Sequence, residues 1–527
     1  MQQPRLLSRQ HRNGIAVLFM LPIFYAAYFV LRYGGLWTEN DTAVFTQVTS
    51  RMLAARSVLF PGQYTHGFGY PTWLGTLSLL TGVPVAVMNT IVLPFIAMAV
   101  FTIACYVAYH TFLKSNKLAM LSVVLLFAIP DLMFTVLRGN HEKLNIILML
   151  MAIVMLFRAF NAIQTGNMRN SAIWIALFYV FVFVNATVND YFASTFAVAA
   201  TLTLLGAWLL LRINVPATTR YRSQIRTFTS YVAASWLLVW WVMLYVYPPA
   251  GNDFSLVNGA VNKLVDLFFT LHTSSNPFVA PATQWAGTIT RVLVALFRWV
   301  LALGSLFVWF RELWSVIRRN QLRSFEHLFL LALYGAFGFL VALAIPLDFT
   351  GMNAGTNLEV RNYPYYALMA APLLVWGFVS AQKHLSSRAR KASAYGSALM
   401  LAGFVLIGLF KSTLDPIVSN QWLFYTPSEL QALSAFSARS HNTAIWTGPD
   451  NRLVHVAEMW NYAGQNNNSV VGYQFSSRNR DLLISPAVIA NSLVEKKSLP
   501  DYERQNRTYD NGQSQIYRLT PQTPFEN

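Results

Sequence analysis

The chain has 527 residues, 55% of them apolar, and a formal charge of +17. With a mean hydropathy of +0.42, this composition describes a polytopic membrane protein with room for one appended domain. The charge does not indicate a nucleic-acid partner, because the basic residues are sorted to alternate loops and serve as a topology signal.

The apolar runs predict eleven spans: Ile15 to Tyr33, Val83 to Phe112, Leu118 to Leu137, Leu144 to Phe160, Ser171 to Val188, Phe192 to Leu211, Phe228 to Tyr247, Gly287 to Phe310, Phe325 to Pro346, Tyr363 to Ala381 and Ala392 to Phe410. Most approach the roughly 20 residues needed to cross about 30 Å of hydrocarbon. The first follows a basic tail without a small-residue cleavage site, so it reads as a retained signal anchor. The tail and every second loop carry basic residues, from Arg5 to Lys391, with only Glu312 and Glu326 as acids. Positive loops stay inside, which predicts a cytoplasmic N-terminus and an extracytoplasmic C-terminus in the plasma or inner membrane. The single cysteine, Cys105, lies in the second span and offers neither a disulfide nor a cysteine-based metal site.

The outer loops are the elaborate ones. In the first, residues 34–82, apolar residues Val44, Phe45, Val48, Met52 and Leu53 recur at helical spacing. This predicts a helix over Thr42 to Ser57 lying flat on the outer leaflet. A turn-rich aromatic strip, Tyr64 to Pro71, follows, and Thr72 to Leu80 reads as a half-helix dipping into the membrane. The fourth outer loop, residues 248–286, holds a second interfacial candidate at Leu256 to Phe269. Asn189-Asp190-Tyr191 reads as a short turn. From Lys411 onward apolar runs shorten, and residues 412–527 read as a small extracytoplasmic α/β domain. Its predicted parts are a helix at Leu430 to Ser437, short strands at Thr443 to Trp446 and Ser469 to Gly472, and a hairpin through Tyr509-Asp-Asn-Gly-Gln. No phosphate-cradling glycine loop of the Walker type occurs, which disfavours an ATP-driven pump.

Three constellations on the outer side can carry chemistry. Glu39 and Asp41 place two carboxylates just beyond the first span, where one can act as a base or both can meet a cation. The same residues also fit a helix cap. Arg138-Gly-Asn-His141-Glu142-Lys143 packs two cations, an imidazole and a carboxylate into the very short second outer loop. His141 and Glu142 suit a divalent ion such as Mg or Mn, and Arg138 and Lys143 suit phosphate. An ordinary solvated turn is the alternative. Glu359 to Tyr366 sets Arg361 among tyrosines on the acidic side, either as a phosphate clamp or as an interfacial anchor. Tyr64, His66 and Tyr70 are the aromatic residues expected to line a sugar, with loop packing the plainer reading. Arg298 lies well inside the eighth span, where it either faces an internal cavity or, as the preferred reading, sits at the edge of a span shifted C-terminally. His455 and Glu458 read as the solvated face of a helix.

On these residues the chain resembles the GT-C superfamily of polytopic glycosyltransferases, protein O-mannosyltransferases among them. Glu39 and Asp41 match the acidic position after the first span, with Asp41 as the acceptor-activating residue. Tyr64 to Pro71 is similar to the segment leading into the second span, and Arg138 to Glu142 occupies the position of metal ligands. Arg361 to Leu374 resembles the late Arg-Tyr … Pro-Leu-Leu span, and the C-terminal Tyr509-Asp-Asn-Gly … Ile-Tyr-Arg518 resembles the outer domains of prokaryotic members. The Trp-Trp-Asp-Tyr-Gly signature of oligosaccharyltransferases is missing. The resemblance implies a mainly α membrane domain over 1–411 and an inverting transfer from a polyprenyl-phosphate-linked sugar to a glycan, lipid or protein acceptor. A transporter or flippase for a lipid-linked substrate, and a noncatalytic subunit of a membrane complex, are the competing readings.

Overall fold

The computed structural model describes residues 9–213, 215–252, 288–319, 322, 324–349, 358–416, 418, 423–439, 445–448, 450, 452–460, 471–472, 481–495 and 498–520. After α1 (Arg9–Arg32), the first loop holds α2 (Asn40–Ala55) and α3 (Gly69–Thr81). The membrane helices continue as α4 (Val85–Leu113), α5 (Asn116–Leu126), α6 (Pro130–Leu137), α7 (Glu142–Gln164), α8 (Met168–Val188) and α9 (Asp190–Ile213). They end with α10 (Val215–Trp241), α11 (Thr288–Arg319), α12 (Phe325–Phe349), α13 (Leu358–Gln382) and α14 (Ser387–Ser412). Among the described residues, nine helices are long and apolar enough to cross a membrane, and Ala16–Arg32 is a shorter apolar helix. The chain is a multi-pass membrane protein of mainly α architecture.

The third expected span is not one helix. α5 and α6 meet at an 83° bend, where Pro130 cannot donate a backbone hydrogen bond and Ile129 is extended. A break in an apolar layer leaves carbonyls unpaired, and the buried Tyr25 hydroxyl answers one by donating to Phe127 O at 2.6 Å. Gly408 of α14 lies against the same break. A Cβ there would stand 2.6 Å from Phe127 O, so only glycine allows this approach. Arg298 lies near the start of the apolar span Val292–Arg318, which is shifted C-terminally from the expected Gly287 to Phe310. It pairs with Asp131, in the first turn of α6, and lies over the Tyr363 ring at 5.2 Å. The bend in the third span supplies the counter-ion that the straight reading lacked.

α2 forms where expected but does not rest on lipid alone. Thr42, Phe45, Val48, Thr49 and Met52 are buried, and α3 and α16 (Arg452–Met459) pack against it. Its apolar stripe is therefore satisfied by protein. The interfacial candidate Leu256 to Phe269, and most of the loop around it, lie outside the described residues.

The C-terminal part holds α15 (Pro427–Arg439), α16, α17 (Pro486–Glu495) and a five-stranded sheet of order β2-β1-β3-β5-β4. The strands are β1 (Ile445–Trp446), β2 (Val471–Gly472), β3 (Asp481–Ile484), β4 (Asn506–Asp510) and β5 (Gln515–Arg518). β1 runs parallel to β2 and β3, whereas β5 is antiparallel to β3 and to β4. The expected hairpin is β4–β5, turning at Gly512 with φ +90°. Its apolar core takes in Ala43 of α2 and Ala86 of α4 as well as Leu433, Leu453 and Ile516. Backbone bonds join the two parts: Thr38 N to Leu423 O at 2.9 Å and Tyr425 N to Leu36 O at 3.0 Å. Buried Arg452 fixes the second strand of that junction by donating to Phe424 O while pairing with Asp450 and Glu429. The segment that leads into Glu39 is thus fastened from both sides.

Candidate active site

Glu39 follows the fastened strand directly and has extended backbone, φ −146° and ψ 176°. Its carboxylate caps α2, accepting from Thr42 N at 2.7 Å and Asp41 N at 3.0 Å. It also accepts the Thr42 hydroxyl proton at 2.6 Å. Thr42 Oγ1 in turn accepts from Gly139 N at 2.8 Å, which ties the first loop to the second. Capping therefore falls to Glu39, and Asp41 points its carboxylate toward Arg138.

Arg138 lies at the centre of the cluster. Its guanidinium stands 3.1 Å from Asp41 Oδ2, 3.6 Å from Glu39 Oε2 and 3.1 Å from Glu142 Oε2. Burial on its own would disfavour the cation, but Asp41, Glu142 and Glu39 outweigh it and hold the group charged. For Glu39 the balance goes the other way: burial, then the charge of Asp41, push its carboxyl above the usual range despite Arg138. Asp41 is the most open of the three acids, with 29% of its side chain exposed against 10% for Glu39 and 15% for Glu142.

The close approach of the two loops depends on residue size and on one buried amide. A Cβ on Gly139 would meet the Asn89 side chain at 2.5 Å. Asn89 is fully buried, donates to Thr46 Oγ1 at 3.0 Å and accepts from Tyr70 OH at 2.8 Å. The aromatic strip is pressed down in the same manner, since a Cβ on Gly67 would lie 2.5 Å from Thr187 O.

His141 is buried against Phe45, Tyr64 and Phe192. Its Nε2 lies 3.0 Å from Asn189 Nδ2. Asn189 Oδ1 accepts from Phe192 N, which fixes that amide as a donor to the ring. The imidazole is accordingly neutral with its proton on Nδ1, and burial pushes its pKa down to about 3. Tyr64 OH also accepts from Asn189 at 3.2 Å. The charges of Asp41, Arg361 and Glu142 all reach Tyr64, and that of Arg361 reaches His141. Arg361, exposed at the start of α13, therefore converges on the cluster from the other end of the sequence.

Several sequence expectations are changed by this geometry. Lys143 is fully buried and donates to Arg138 O at 2.5 Å, so it holds the loop instead of meeting a phosphate. Tyr70 is buried core bonded to Asn89, whereas Tyr64 and His66 remain partly exposed. His141 and Glu142 do not form a metal pair, because Nε2 faces an amide and Glu142 bonds Arg138 and Asn140. Among the described residues no three His, Cys, Asp or Glu groups gather to hold a metal. The carboxylates that would suit a divalent ion already surround a guanidinium, so a metal does not fit this donor set as arranged. Asn89 and Asn189 were not among the expected site residues. Asn89 had a signal, as a lone amide inside an apolar run; Asn189 in a short turn had none.

No family model matches the chain, and no curated protein matches it. Solved structures do. The oligosaccharyltransferase of Archaeoglobus fulgidus in the apo form is similar over 98% of this chain and 75% of its own, with TM-score 0.55 and 10% identity. The oligosaccharyltransferase AglB of that organism, in complex with an inhibitory peptide and a dolichol-phosphate, is similar over 99% and 76%, with TM-score 0.55 and 10% identity. ArnT from Cupriavidus metallidurans bound to undecaprenyl phosphate is similar over 97% and 98%, with TM-score 0.49 and 11% identity. The two archaeal structures show that this chain shares the fold of those oligosaccharyltransferases.

Proposed function

We propose that this protein is an inverting membrane glycosyltransferase that moves a sugar from a polyprenyl-phosphate carrier to an acceptor at the extracytoplasmic face. The observation that carries this is the arrangement of Glu39, Asp41 and Glu142 around Arg138, with Arg361 converging on it. An open carboxylate and a converging guanidinium are what a displacement at a phosphate-linked carbon requires. A shared fold with oligosaccharyltransferases makes the reading chemically apt, and the assignment to this chain rests on the site.

In the proposed step Asp41, the most exposed acid, accepts the proton of the acceptor hydroxyl. The acceptor oxygen bonds to the sugar's anomeric carbon from the face opposite the phosphate. The carbon–oxygen bond to phosphate breaks, and its electron pair stays on the phosphate oxygen, where Arg361 offsets the charge. Glu39 positions Asp41 through the first turn of α2, and Arg138 keeps the carboxylates from repelling one another. No step is assigned to Mg or Mn. The charge sorting supports a site on the outer face and an N-terminus in the cytoplasm. The Lys114–Glu326 bridge at 2.9 Å is consistent with the basic loops sharing one end of the bundle.

The test is reconstitution in vesicles with a radiolabelled polyprenyl-phosphate sugar and a membrane extract as acceptor. Wild type should move label from the lipid, and Asp41→Asn should abolish this at equal expression. Full activity in the variant removes Asp41 as the base. An inactive wild type favours a transporter or a noncatalytic subunit.

A further inference from the structure

The C-terminal sheet carries a second group of charges, none of which belongs to the cluster around Arg138. A cavity of about 120 Å³ lies between α15, which lines it with Ala435, Phe436 and Arg439, and strands β3, β4 and β5. One water needs roughly 10–15 Å³, so the space admits a small ring with its substituents. Strand register explains the sheet side of the cavity. Asp481 stands opposite Arg518, and Tyr509 opposite Ile516. Ile516 and Arg518 are two apart on β5, so all four side chains share one face of the sheet. Thr508 would ordinarily point to the other face. A bulge between Arg507 and Tyr509 re-aims it, and it lines the cavity beside Tyr509.

The lining combines an apolar part with groups of defined polarity. Phe436 and Ile516 are buried, and the small Ala435 leaves room beside them. Asp481 is also buried, and it grips one edge of Arg518, accepting from Nε at 3.0 Å and from Nη2 at 3.1 Å. That bidentate pair fixes the guanidinium and leaves Nη1 unbonded among the described residues. Arg439 is exposed in the last turn of α15, and no acid pairs with it among the described residues. Two arginines against one aspartate leave the lining at +1. Thr508 donates its hydroxyl proton to Ile516 O at 3.1 Å, so what it offers a ligand is a lone pair. The oxygens of Asp481 are acceptors as well.

This set discriminates between ligands. Guanidinium forks match a carboxylate, the acceptors Thr508 and Asp481 match hydroxyl groups, and the apolar residues with the Tyr509 ring match the C–H face of a sugar. A phosphate ion has no donors for the two acceptors and no face for the apolar part. A neutral sugar leaves the positive charge unmatched. We infer that the cavity binds an acidic sugar, with its carboxylate on Arg439 and Arg518 and its ring against Phe436, Ile516 and Tyr509. In the glycosyltransferase reading such a site holds a uronate-bearing glycan on the C-terminal domain, a use that rests on that reading although the binding does not.

The experiment titrates D-glucuronate into the full chain in nanodiscs by calorimetry, with D-glucose and inorganic phosphate as comparisons. Wild type should bind glucuronate at least about tenfold more tightly than either. Arg439→Met removes a guanidinium without stranding a buried acid. It should weaken glucuronate about 10- to 100-fold, as expected for losing a hydrogen bond to a charged group. Ala435→Leu fills the cavity and should weaken glucuronate to a similar degree, with unfolding of both variants in micelles like that of wild type. Glucuronate binding no tighter than that of glucose or phosphate overturns the proposal, as does wild-type affinity in both variants. Arg439-dependent binding in a chain that transfers no sugar sustains the inference and sinks the glycosyltransferase reading. An active transferase that does not bind glucuronate does the reverse.

Discussion

Replacing Arg138 by methionine tests the electrostatic centre of the site most directly. The side chain is 19% exposed and stands 3.1 Å from two carboxylates and 3.6 Å from a third. At an effective dielectric near 20, each contact is worth about 5 kcal/mol in gross Coulomb terms. Removing one partner of a buried ion cluster costs about 3–5 kcal/mol net. The site has a way to limit that loss, which is to protonate a carboxylate. Glu39 is the one inclined to do so, since its carboxyl is already raised by burial and by Asp41. Bringing a proton onto a carboxylate of ordinary pKa near 4.5 costs about 3 kcal/mol at pH 7 and about 1 kcal/mol at pH 5. In the variant, Glu39 has a folded pKa raised well above its unfolded one. Its favourable contribution is therefore present at low pH and lost as pH rises through the folded value. Arg138→Met should fall below wild type by about 3 kcal/mol at pH 7 and by about 1 kcal/mol at pH 5. Unfolding in mixed micelles, followed by tryptophan fluorescence at the two pH values, reads the gap. A gap that is the same at both, or wider at pH 5, refutes the account of three carboxylates held by one guanidinium.

Other parts of the site make their own predictions. The His141 pKa is lowered from 6.5 to about 3, so the folded protein resists a proton that the unfolded chain accepts. Stability should drop by about 3 kcal/mol as pH falls from 7 to 4, and His141→Gln should lose that part of the slope in the same unfolding assay. Gly139→Ala must push the Asn89 side chain aside and should cost about 1–3 kcal/mol while lowering transfer; unchanged stability would show that the two loops are not in such close contact. Arg452→Met leaves Asp450 and Glu429 buried without their cation and should cost about 3–5 kcal/mol. Limited proteolysis of the C-terminal part should detect the loss, and an unchanged digestion pattern counts against its role in fastening Phe424.

Much of the membrane architecture was legible because lipid imposes a one-dimensional rule: spans must be long, apolar and flanked by sorted charge. The bend at Phe127–Ile129 was not, since Leu118 to Leu137 is apolar but for Ser122, Asp131 and Thr135, and only Pro130 marks the break. Its stability depends on Tyr25 and Gly408, both remote in sequence. The hairpin β4–β5 was readable from local turn chemistry, while β3 was recognised only through its partners on either side.

For the site, the sequence by itself determined which charged residues stand at the ends of the spans, because charge is costly in the hydrocarbon between them. It therefore named Glu39, Asp41, Arg138, His141, Glu142 and Arg361 as candidates. Tertiary structure decided what each one does, because role depends on the partner and the partner is distant in sequence. Packing buried Lys143 beneath a carbonyl, gave His141 an amide where a metal was expected, and set Arg138 among three carboxylates from two loops. A side chain's charge is written in its own residue, but its burial and its neighbours belong to the whole fold.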